Sequence, residues 1–170
     1  MAAGTDDGSV GRHGPSDPPQ GALTIQLGSN VLQAATNRIH ATHWTVTTAL
    51  RVDTRALAGE TVVQAFLAGT VSSVSTTDDG VVNGEWVTDA AIGADDYSTA
   101  VQPTAFTANL ADLDIGVVQF TVAPGGLQTA GYTKLRIGIT TSASPTGANE
   151  FNLFASESDN APLLIVCVSD

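Results

Sequence analysis

His40, His43 and Trp44 are the chain's densest group of side chains able to hold a metal or a ring. Two imidazoles three residues apart share a face on a helix but fall on opposite faces of a strand. The Thr-rich sequence around them reads as strand, which predicts surface or interface histidines and no shared metal site; His13 lies apart, near the N-terminus. Serine and aspartate are abundant, yet no G-x-S-x-G turn is present to hold a nucleophile beside a base. A phosphate-binding G-x-x-x-x-G-K-[ST] loop and a dinucleotide-type glycine fingerprint are also missing from the sequence. Paired carboxylates for glycoside hydrolysis depend on distance in space and leave no spacing signature. The expectation is a protein that is not an enzyme.

Asp78 with Asp79, Asp95 with Asp96, and Asp112 with Asp114 could each lend oxygens to calcium, but none follows the spaced loop of an EF-hand. They read as solvated loop carboxylates, with loop calcium as the alternative and no other cofactor expected. Aromatic residues are few. Trp44, Trp86, Tyr97 and Tyr132 are the candidates for stacking on a sugar ring or anchoring an interface between subunits. The two tryptophans could equally fill the core. Tyr97, after Asp95 and Asp96, and Tyr132, after Gly131, read as loop residues more open to a ligand.

Strands must position these groups. Lys134 to Ile139 alternates strictly, a Ser/Pro/Gly turn follows at Ser142 to Gly147, and Phe151 to Ser156 alternates again. Leu163 to Val166 is a continuous apolar run and reads as a more deeply buried last strand. Further strands are expected at Leu23 to Leu27, Thr45 to Val52, Thr61 to Val74, Tyr97 to Phe106 and Gly116 to Val122. Val81-Val82 and Trp86-Val87 flank Asn83-Gly84, a strong hairpin-turn dipeptide. Only Ala108 to Leu113 hints at a short helix. This pattern predicts an all-β fold, an antiparallel two-sheet β-sandwich of jelly-roll type over residues 22–170. Leu135, Ile137, Ile139, Leu163 and Ile165 are expected to face its core.

Residues 1–21 are rich in Gly, Pro, Asp and Ser and lack the charged start and apolar stretch of a secretory signal. Gly8, Gly11 and Gly14 fall every third residue, too short a run for a collagen helix. The segment is expected as an extended N-terminal arm that a neighbouring subunit orders, with Arg12 and Pro15 among its contacts.

The chain has 170 residues, 6 basic against 17 acidic, and a net charge of -11. Duplex binding needs clustered Lys and Arg to displace phosphate counterions, so nucleic acid is a poor partner, as is an anionic membrane surface. No apolar run approaches the roughly 18 residues of a membrane span. Cys167 is the single cysteine, so an intrachain disulfide is impossible, and its place in the last strand predicts a buried, unreactive thiol.

Two segments resemble a known family. Ala49 to Leu57 (ALRVDTRAL), with Gly59 to Leu67 (GETVVQAFL), is similar to the opening of the DNRLRE-type β-sandwich modules. Gly147 to Ser158 (GANEFNLFASES), followed by Ala161 to Val166 (APLLIV), is similar to their ending. Val52 stands where the family has an aromatic, and the loop at Ser158-Asp159 is shorter. The resemblance covers about Thr45 to Val168. It implies a carbohydrate-binding-module-like sandwich of the kind found in extracellular enzymes and in minor structural proteins of tailed bacteriophages. Without an enzyme domain or signal segment, and with a Gly/Pro arm, the virion setting is expected. The chain would be a non-enzymatic capsid decoration or minor tail protein on the virion surface, with copies of itself and other virion proteins as partners. The alternative is an adhesion module that binds a host-surface glycan.

Overall fold

A computed structural model of the chain describes residues 7–27, 29–87, 92–97, 103–155 and 160–169. Eleven strands occur among them: β1 (Gly8–Gly14), β2 (Thr24–Leu27), β3 (Val31–Ile39), β4 (Thr42–Asp53), β5 (Val62–Thr76), β6 (Val81–Val87), β7 (Thr104–Asn109), β8 (Gly116–Val122), β9 (Tyr132–Thr140), β10 (Asn149–Phe154) and β11 (Leu163–Val168). All ladders are antiparallel. The expected all-β class is present.

The strands join in one continuous, nearly closed ladder in the order β11-β5-β10-β3-β4-β9-β6-β7, with β8 on β5, β1 on β4 and β2 on β1, and this connectivity does not by itself divide them into the expected two sheets. Two long strands make this continuity. β4 pairs with β3 through Thr42–Val46 and with β9 through Thr48–Asp53. β5 pairs with β11 along Val62–Ala68, with β8 along Ala65–Val71 and with β10 along Val71–Thr76. The sheet nearly closes on itself, since Ala123 N, just past β8, donates to Ala105 O of β7 at 2.8 Å.

Alternation supplies the core. Leu135, Ile137 and Ile139 of β9 are buried as expected, against Leu32, Leu50, Val71, Phe151 and Leu153. The rings of Phe106 and Phe120 stack with centroids 4.3 Å apart, and Phe120 meets Phe151 edge-on. Each such side chain taken from water contributes about 1.5–3 kcal/mol.

Several expectations are corrected. Asn83 and Gly84 are not a hairpin turn but lie inside β6, paired with both β7 and β9. A Cβ on Gly84 would overlap the Phe106 ring, so this glycine serves close packing. The last strand is an edge, not a deeply buried element: Leu164 is buried and Val166 packs on the core, while Leu163 and Ile165 face solvent. Cys167 is exposed for the same reason. Ala108 to Leu113 is the end of β7 followed by a 3-10 turn, Leu110–Asp112.

The N-terminal segment differs most. Residues 8–14, expected in an extended arm ordered by a neighbouring subunit, form β1 between β2 and β4 of the same chain, with Val10 fully buried. Its glycines read as flexibility in sequence, but Gly8 and Gly11 let β1 lie close against Gln26 of β2 and against Thr45 and Val46 of β4. Residues 1–6 of the expected arm lie outside the described residues, as do residues 98–102 of an expected strand and residues 156–159 of the family-like ending.

Candidate functional site

Trp44 borders two adjoining hollows of mixed polar and apolar lining. It stands on β4 directly across from His13 of β1 and Asn37 of β3, and its side chain is 41% exposed. The His13 ring stacks on it, centroids 4.8 Å apart and planes at 22°. A hollow of about 270 Å³ lies on one side, lined by Ser9, Gly11, Arg12, His13, Thr24, Gln26, Gln33, Trp44 and Val46. A second, about 200 Å³, adds Ala35, Asn37, Ile39 and Glu150 and shares Gln33, Trp44 and Val46 with the first. Asn37 Nδ2 donates to Glu150 Oε2 at 3.4 Å on its floor. An aromatic ring amid amides, hydroxyls and a carboxylate can stack on the C–H face of a sugar and hydrogen-bond its hydroxyls.

The other aromatics are placed differently. Trp86 is buried, its Nε1 donating to Ala123 O at 2.8 Å, and Gly126 has no Cβ so that the indole can fit. Tyr97 is half-buried with the Arg12 guanidinium 5.2 Å from its ring centroid, and burial raises its phenol. Tyr132 is exposed, but Arg51 and Arg55 lie over its ring at 3.7 and 5.3 Å. Arg55 also grips Asp53 through two nitrogens and holds that carboxyl down to about 2. Of the four expected aromatics, only Trp44 combines an exposed ring with a hollow. Arg12 belongs to β1 and Pro15 is exposed just beyond it.

The histidines do not gather: His40 occupies the turn between β3 and β4 with φ 57°, and His43 is buried in β4. Among the described residues no three His, Cys, Asp or Glu side chains could share a metal. Asp78 acts as a clasp, accepting from Thr146 N at 3.0 Å, Thr146 Oγ1 at 2.6 Å and Asn149 Nδ2 at 2.8 Å, which lowers its carboxyl to about 2. Asp79 accepts from Ser142 N and Asp112 from Asn109 Nδ2. The Asp95 side chain lies outside the described residues.

Two further surfaces escaped the reading of single residues. The first is the outer face of β8, β5 and β11, three strands without one charged residue. Register sets Val117 beside Thr70, Leu163 beside Ala68 and Ile165 beside Phe66. Val117 is 87% exposed, and a hollow of about 230 Å³ lies between it, Ala68 and Leu163. The signal was present as three long charge-free stretches in a chain of net charge -11.

The second is on β9, whose even-numbered side chains point away from the core. Arg136 pairs with Glu85, its cross-strand neighbour on β6. Lys134 Nζ lies 2.7 Å from Asp96 Oδ1, and both side chains are 0% exposed beneath the 3-10 turn Ala94–Tyr97. Asp7, also buried, accepts from the backbone N of Arg51, the cross-strand partner of Lys134. Only 6 basic residues occur in the chain, and their pairing depends on strands distant in sequence.

No protein-family model and no curated protein matches this sequence.

Proposed function

We propose that the chain is a non-enzymatic assembly protein, a virion component of a tailed bacteriophage, whose copies meet through the outer face of β8, β5 and β11. The carrying observation is that this face exposes Val117, Leu163 and Ile165 and bears no charge. Copies with a net charge of -11 repel each other, and a face without carboxylates is where two can approach without opposed charges. Contiguous apolar surface of this kind is a hallmark of interfaces. The virion setting rests on the resemblance of the opening and ending segments to phage-borne sandwich modules. The test is the mass of the full chain in solution across a concentration series, with Val117→Asp/Ile165→Asp beside it. Association in the parent and monomers in the double variant are expected. A parent that stays monomeric at every concentration sinks the proposal.

The Trp44 hollows favour a second reading, adhesion to a host-surface glycan. Trp44→Ala should then abolish binding on a glycan array while Trp44→Phe retains part of it. An array without a single ligand removes this reading and leaves the first untouched.

A further inference from the structure

We propose that Lys134 and Asp96 condense into an intramolecular isopeptide bond that staples the Ala94–Tyr97 turn to β9. This inference rests on neither functional reading above.

The pair is unusual in its setting. Both side chains are fully buried, away from the main apolar core, on the outward side of β9. Taking an ammonium and a carboxylate out of water costs several kcal/mol per ion, and their attraction does not generally recover it. Nζ approaches Asp96 Oδ1 to 2.7 Å, yet Oδ1 accepts no hydrogen bond of acceptable angle. Asp96 Oδ2, by contrast, accepts from Gly93 N at 2.8 Å, and Asp96 N donates to Gly93 O at 3.1 Å. The carboxyl is therefore held by its own turn, with one oxygen against the amine. Reacting atoms in near-attack arrangements sit about 3–3.5 Å apart, and Nζ is 2.7 Å from Oδ1, the atom to which the electrophilic Cγ is directly bonded.

The chemistry closes without a co-reactant. The reacting forms are the amine and the acid, reached by passing one proton from Nζ to the carboxyl. The Nζ lone pair attacks Cγ. A C–N bond forms, the C–OH bond breaks, and the oxygen leaves as water with the carboxyl proton and a second proton from nitrogen. One ammonium and one carboxylate become one neutral amide and one water, and nothing is oxidised or reduced. Burial keeps bulk water from the amide. The bond would close the chain between Asp96 and Lys134 covalently, as a disulfide closes a loop, in a chain whose single cysteine, Cys167, forbids an intrachain disulfide.

The test is the intact mass of the purified full chain, with Lys134→Arg and Asp96→Ala measured alongside. The parent should weigh less than its sequence by one water, and digestion should yield a branched peptide joining the segments of Lys134 and Asp96. Both variants should show their full sequence mass. Lys134→Arg keeps the positive charge, so it also serves if Asp96→Ala fails to fold. A parent at full sequence mass overturns the proposal. So does a water loss that persists in Lys134→Arg, which would place the dehydration elsewhere, for example at Asp79-Gly80.

Discussion

The outer side of the β4–β9–β6 sheet and the outer side of β8–β5–β11 solve opposite problems. The first carries Arg51, Lys134, Arg136 and Glu85, groups that normally seek water, and places them under or beside other chain. Asp7 and the Ala94–Tyr97 turn cover it, and Lys134 pairs with Asp96 and Arg136 with Glu85. The second carries valine, leucine and isoleucine and leaves them bare. Hydrophobicity of the residues alone would predict the reverse. The difference teaches that exposure here follows the route of the chain. The Ala94–Tyr97 turn brings Asp96 onto Lys134 of β9, whereas Val117, Leu163 and Ile165 beside β5 stay open to solvent.

The largest effect should come from the covered side. Lys134→Met leaves the Asp96 carboxyl buried without its partner and should cost about 3–5 kcal/mol, read from denaturant unfolding. A loss within about 0.5 kcal/mol would mean that this side behaves like ordinary surface. Trp86→Ala tests the core between the two sides. Removing a buried indole and its hydrogen bond to Ala123 should cost about 3–5 kcal/mol, while Trp44→Ala, at an exposed ring, should cost under about 1 kcal/mol. Comparable losses in the two variants would contradict their assigned environments.

On the bare side the expected effect is on association and not on stability. Val117→Asp/Ile165→Asp should leave the melting temperature within a few degrees of the parent, since both side chains already face water; about 1 kcal/mol corresponds to ~2–4 °C at this size. A collapse in melting temperature would show that these residues support the fold itself.

The smallest effect concerns the loop clasp. Asp78 titrates at about 2 in the folded chain against an ordinary value of 3.8. A depressed folded value means its contribution is present above 3.8 and is lost as the pH falls from there toward about 2. Asp78→Asn should therefore flatten the acid side of the stability profile in that window. An unchanged profile would show the clasp to be energetically idle, as many exposed carboxylate contacts are.

Much of the framework was legible. Leu135, Ile137 and Ile139 alternate, and β9 is flanked by β4 and β6 on both edges, so alternation and burial agree. Leu163 to Val166 has no alternation, and nothing local says that Leu164 rather than Leu163 turns inward. β1 was misread because Gly, Asp and Ser have the composition of a linker, while their use here depends on β2 and β4 lying close on either side. The Trp44 hollow was half legible, as an aromatic among polar strand residues.

By itself the sequence determined most of the strands, the acidity and the three charge-free stretches, because each is a property of neighbours along the chain. Only the tertiary structure decided which of two tryptophans is wet. Trp44 and Leu50 share one side of β4 by their even spacing, yet Leu50 is buried and Trp44 is open. The strand changes neighbours from β3 to β9 between them. Alternation says which side chains point together; what lies on that side is set by segments distant in sequence.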